Sequence, residues 1–166
     1  AVMAKHFEHA RALQMAVIAG DHGGGRESAA ALSQSTIEGM PDSWRPFLDD
    51  MRVAAEMAEH ADGLEDQARA VAEVGATCGA CHRELGKGPA HHLARIPQQV
   101  WPGERHMPRH LWATNWMWLG LVGPSDDAFT RGARELSEHP ILGSDHQAAE
   151  LDEAVHALAR QGLDAG

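Results

Sequence analysis

The stretch CGACH, residues 78–82, is where the residue types and spacing of this chain can do chemistry. Cys78 and Cys81 are the only cysteines in 166 residues, and His82 follows the second directly. Two thiols three positions apart with an imidazole beside them suit three kinds of site. A redox dithiol of the C-x-x-C type needs a preceding strand and a βαβ context. A structural zinc site draws four ligands, usually from two such pairs. A covalently held haem needs two thiols to add across its vinyl groups and an adjacent imidazole for the iron. The chain has no second cysteine pair, and no run in it alternates as a strand would. On a helix, positions 78, 81 and 82 are i, i+3 and i+4 and share one face. The thiols then tether a macrocycle edge while the imidazole reaches the iron. The expectation is one haem c, held by Cys78 and Cys81, with His82 as proximal ligand.

A second stretch, ERHMPRHLW at 104–112, bears on the other side of the iron. Met107 is a natural thioether ligand, and Met/His ligation raises haem potential. It falls at a predicted loop-to-helix junction, where a side chain can be aimed. Met107 is the first choice for the distal ligand. His110, central on a stripe with Thr114, Met117 and Leu121, is the second. Trp112, Trp116 and Trp118 on the same predicted helix fill a large core around the macrocycle. Asn115 there needs a hydrogen-bond partner if buried. Arg83, Arg105 and Arg109 are candidate partners for haem propionates, since guanidinium forks suit carboxylates.

The elements that must position these residues read as helices nearly throughout. Val2, Met3, His6, Ala10, Leu13 and Val17 form one stripe that ends at GDHGGG. A weaker helix is predicted from about Glu27 to Glu38. Ser43 is placed to cap a third, with Phe47, Met51, Ala54, Ala55 and Ala58 inward. ADG at 61–63 marks a break. A fourth helix carries Leu64, Ala68, Val71, Val74, Cys78, Cys81, His82 and Leu85 and stops at Gly86. A fifth starts at Pro108, is apolar almost all round, and is therefore expected to be buried. Ser125 caps a sixth, with Asp126 and Asp127 at its positive end. A capping box at Ser144–Gln147 opens a seventh that turns Leu151, Val155 and Leu158 inward. The expected fold is all-α, a single domain of about six to seven helices around one haem. Residues 1–86 form its bundle-like part, and the helices of 104–163 cover the haem.

The pentapeptide CGACH is the signature of c-type cytochromes, and the chain resembles that family. More loosely, an all-helical chain that carries the motif within a helix resembles the helical-bundle branch, cytochrome c′ and c556-like. There the motif lies near the C-terminus, so the likeness covers roughly residues 1–86. The resemblance implies haem attachment outside the cytoplasm, in a bacterial periplasm or equivalent. It also implies that the first helix packs over the distal haem face. Met3 or His6 is then a rival sixth ligand, or lines an open pocket. His6 and His9, with His106 and His110, are the side chains that would have to converge if a second metal ion sat beside the haem.

Composition bounds the partners. Lys and Arg number 14 against 24 Asp and Glu, for a net charge of −10, which argues against nucleic acid and anionic membrane surfaces. It favours a redox partner with a basic docking surface. No apolar run approaches the ~20 residues of a membrane span. A start at AVMAKHF, without an initiator Met, is what a processed, exported form would show. The function expected is one-electron transfer through covalent haem. The alternatives are binding of a gas or other small ligand at an open distal site, and a haem oxidoreductase that uses a distal His or a second metal.

Overall fold

The computed structural model describes residues 2–36, 39–86, 88, 106–138, 153, 155 and 157–161, apart from the side chains of Val2, His106, Met107 and Pro108. The described residues are all-α, with six α-helices between Val2 and Glu138, one short 3-10 turn, further helical residues at 153, 155 and 157–161, and no strand. The chain divides into two compact units, Ala1–Gly88 and Pro89–Gly166.

The first unit is a four-helix bundle: α1 (Val2–Ile18), α2 (His22–Ser33), α3 (Arg45–Glu59) and α4 (Leu64–Leu85). Successive helices pack as antiparallel neighbours, and α1 also packs on α4 to close the ring. Leu13, Leu32 and Val74 are fully buried, with Ala10, Ala29, Ala54, Ala55, Ala58 and Ala70 between them. Each buried Leu or Val contributes about 1.5–3 kcal/mol, and the alanines let the helices approach closely.

Three local expectations change. The second helix does not start at Glu27. It starts at His22 and runs through all three glycines, because the Asp21 carboxylate accepts from the Gly24 N–H at 2.9 Å and caps it. Gly25 is the residue that permits this packing: a Cβ there would stand 2.7 Å from Cδ and 2.8 Å from Nε2 of Gln67 on α4. The helix ends at Ser33, with Gln34 as its C-cap, short of the expected end at Glu38, which lies outside the described residues. Ser43 caps nothing. It lies inside the 3-10 turn Asp42–Trp44 that leads into α3, and no side chain bonds to the start of that helix. On α4, Ala68 is exposed and Gln67, a polar residue, is fully buried in its place.

One end of the bundle is held by polar bonds. The Arg26 guanidinium donates to the Ala61 carbonyl at 2.8 Å, and His22 Nε2 lies 3.1 Å from the same oxygen. Gln67 Nε2 donates to the carbonyls of Ala58 at 3.2 Å and His22 at 3.3 Å. The start of α2, the end of α3 and the start of α4 are thus joined. At the opposite end, α4 stops at Gly86, whose φ of +58° is the left-handed turn that glycine adopts without strain.

In the second unit, α5 (His106–Val122) and α6 (Asp126–Glu138) form an antiparallel hairpin. The fifth helix begins two residues before Pro108. Leu111 is 37% exposed, so that helix is not buried all round. Ser125 does cap α6: its hydroxyl accepts from the Ala128 N–H at 3.3 Å, and Asp126 and Asp127 occupy the first turn. The two helices touch through glycine. A Cβ on Gly132 would meet the Ala113 carbonyl oxygen and stand 2.8 Å from the Met117 nitrogen. Ala113, Leu136 and Ala159 form a small core, with Trp112, Met117 and Val155 against it. Leu158, expected inside, is 66% exposed, and Ala159 is buried instead. The Ser144 capping box and Leu151 lie outside the described residues.

Candidate functional site

Cys78, Cys81 and His82 occupy the last two turns of α4, on one face as their spacing requires. That face opens into a groove at the free end of the bundle. Met3 from α1, Phe47, Leu48 and Met51 from α3, and Thr77, Cys78, Cys81 and His82 from α4 line it. The helix α2 contributes nothing to it. The start of α1, the start of α3 and the end of α4 therefore meet at the CGACH face, around a groove that is open to solvent.

The groove is apolar apart from the motif. Thr77 is its one hydroxyl-bearing residue outside the motif, and that hydroxyl donates to the Val74 carbonyl at 2.9 Å. Cys81 is buried, while Cys78 and His82 are half-buried. Burial pushes the Cys78 thiol up to about 11, with the neighbouring Cys81 adding to the shift. Burial pushes the Cys81 thiol up as well. A dithiol oxidoreductase needs the reverse, a nucleophilic thiol lowered to about 3.5–7.5 by a helix N-terminus or a nearby cation. Here both thiols sit at the negative, C-terminal end of a helix. Among the described residues, no three His, Cys, Asp or Glu side chains are gathered closely enough to hold one ion. The thiols and the imidazole line a common wall without converging on a point.

A covalent haem can be tested against these residues. Two thiols for the vinyl groups, an imidazole for the iron and apolar walls for the macrocycle are all present on one groove, and Met3 adds a thioether from the facing helix. The residues fit the group.

The other expected site residues are distributed as follows. His6 lies one turn along α1 from Met3, is 5% exposed, and has a buried Nδ1 without a hydrogen-bond partner. Burial lowers its pKa, and His9 nearby lowers it further. It is not among the groove residues. His110 is half-buried on α5, and the Thr114 hydroxyl donates to its carbonyl at 2.9 Å. Trp112 and Trp116 pack edge to face with centroids 5.6 Å apart, and the Arg131 guanidinium carbon stands 5.2 Å from the Trp116 centroid. Arg109 forms a partly buried ion pair with Glu135 across the α5–α6 hairpin. Trp112 Nε1, Asn115 Oδ1 and Trp118 Nε1 are buried without partners. The side chains of His106 and Met107, and Arg105, lie outside the described residues.

Phe47, Leu48, Met51 and Thr77 are groove residues that the motif alone did not indicate. Phe47 and Met51 carried one signal, a place on the inner stripe of the third helix. Nothing local in the sequence told which end of that stripe faces the cysteines. No protein-family model, curated protein or solved structure matches this chain.

Proposed function

We propose that this protein is a mono-haem c-type cytochrome that carries single electrons in an exported compartment. The observation that carries the reading is the groove itself: Cys78, Cys81 and His82 share one apolar wall, with the Met3 thioether on the lining of the same groove. Cys78 and Cys81 would hold the group as thioethers and His82 would serve as its axial imidazole. A bound haem iron supplies a one-electron ferrous–ferric couple. The chain's own residues supply three things. Phe47, Leu48 and Met51 exclude water from one side of the groove. The α4 helix fixes the relative positions of both thiols and the imidazole. Met3 offers a soft sixth ligand, the kind that favours the ferrous state.

Met3 now stands ahead of Met107 as the distal candidate, because Met3 lines the groove of the motif. The net charge of −10 favours a partner with a basic docking face, through long-range steering.

The test is the absorption spectrum of ferric and ferrous protein with and without carbon monoxide, together with haem retention after denaturation. The expected result is covalently retained haem with a low-spin spectrum, a Met-to-iron charge-transfer band and no response to carbon monoxide. A chain that loses its haem on denaturation would overturn the reading. Retained haem that is high-spin and binds carbon monoxide rapidly would replace electron transfer by ligand binding.

A further inference from the structure

Beyond the left-handed turn at Gly86, Gly88 lies close to the His82 side chain. A Cβ built on Gly88 would stand 3.0 Å from His82 Cβ, 3.2 Å from Cγ and 3.5 Å from Nδ1. The first two distances are tighter than ordinary van der Waals contact, so any side chain at 88 must displace the imidazole or be displaced by it. The cost of an alanine at 88 would fall on the imidazole. Gly86 is the opposite case. Its φ of +58° strains any other residue, yet a Cβ there would meet nothing within 4 Å.

We infer that Gly88 is a positioning residue: its missing side chain sets where the His82 imidazole stands in the groove, and with it the orientation of the axial ligand. This rests on the haem reading of CGACH. The physical reason is general. A metal-bound imidazole has its ring plane and tilt fixed by what packs on it and by what its second nitrogen meets, and these tune the metal. His82 lines the groove, and a Cβ added at Gly88 would crowd its Cβ, Cγ and Nδ1. Such an added group would therefore press on the ring at its root and at the nitrogen next to Cγ.

The experiment compares full-length parent, Gly88→Ala and Gly86→Ala proteins after haem loading. Haem retention on denaturation is read first. The ferric electron paramagnetic resonance spectrum, whose anisotropy follows the axial imidazole plane, is read second, with the thermal midpoint third. Gly88→Ala is expected to shift the g-values with little change in midpoint. Gly86→Ala is expected to lower the midpoint and leave the g-values at the parent's. Loss of haem from Gly88→Ala alone would be the same displacement in stronger form. Unshifted g-values in Gly88→Ala, equal shifts in both variants, or haem loss from both would overturn the assignment. If the parent itself holds no covalent haem, the reading of CGACH fails. The Gly88 contact is then read from the His82 ring resonances in the nuclear magnetic resonance spectrum of the metal-free chain. There a shift in Gly88→Ala but not in Gly86→Ala supports the contact, and no shift refutes it.

Discussion

Substitution of Gly25 by alanine poses a sharp question about what holds the closed end of the bundle. In an isolated helix, Gly→Ala would stabilise α2 by about 1 kcal/mol. In this fold the new Cβ would fall within 2.8 Å of Cδ and Nε2 of Gln67, a fully buried side chain. The amide is the far end of a flexible chain and can swing. To do so it must leave the carbonyls of Ala58 and His22, to which it donates at 3.2 and 3.3 Å. Each of those bonds contributes about 1 kcal/mol, and an amide left buried without partners costs roughly 1–3 kcal/mol more. Its Oε1 is already buried without a donor, so those two bonds are the ones the amide has to lose. The net expectation for Gly25→Ala is a loss of about 2 kcal/mol, which lowers the midpoint by about 10 °C for a unit of this size. In a Gln67→Ala background the obstruction is gone, and Gly25→Ala should stabilise by up to about 1 kcal/mol. The cycle then shows a coupling of about 3 kcal/mol. Amide hydrogen exchange at Val74, fully buried on α4, reads the stability of this unit in the intact chain. Additive effects, or a Gly25→Ala protein more stable than the parent, would refute the argument that Gln67 is held in place by those two carbonyls.

Three further outcomes follow from the same geometry. Met3→Ala should convert a low-spin haem spectrum to one that binds carbon monoxide, while Met107→Leu leaves it unchanged; the reverse pattern would return the distal site to the 104–112 segment. The lowered pKa of His6 means that the unfolded chain takes up a proton near the ordinary value of 6.5 while the fold resists it. Stability is therefore full above that value and is lost as pH falls from it toward the folded pKa, and denaturation curves between about pH 8 and 5 should flatten in His6→Gln. Gly132→Ala should destabilise the α5–α6 hairpin by about 1–3 kcal/mol, the usual cost of overpacking, because the Ala113 and Met117 backbone atoms it meets cannot swing aside; an unchanged thermal transition of the second unit would contradict this.

How much was legible in the sequence differs from residue to residue. The helical class and the inner stripes of α1, α3 and α4 follow from apolar periodicity, which depends only on 3.6 residues per turn. The common face of Cys78, Cys81 and His82 has the same origin, since i, i+3 and i+4 coincide on any helix. Ser125 was readable as a cap because a cap is a local bond. GDHGGG was misread as a stop because local propensity counts glycine against a helix. The reason for the glycine at 25 is Gln67, more than forty positions away. Ala68 was placed inside and Gln67 was not singled out for a like reason: an amide belongs in a core only when carbonyls from other elements await it.

The groove belongs to the second kind of information. Met107 was chosen as distal ligand on local grounds, a thioether at a predicted junction beside the CGACH reading. Met3 lines the groove because three connections turn α1 through α4 antiparallel and return the end of α4 to the start of α1. The sequence by itself determined that one helical face carries two thiols and an imidazole, because spacing along a helix is a property of the backbone. Which side chains stand across from that face, and which glycine rests on its imidazole, was decided only when four helices closed into a ring. Those contacts depend on packing between residues far apart in the chain.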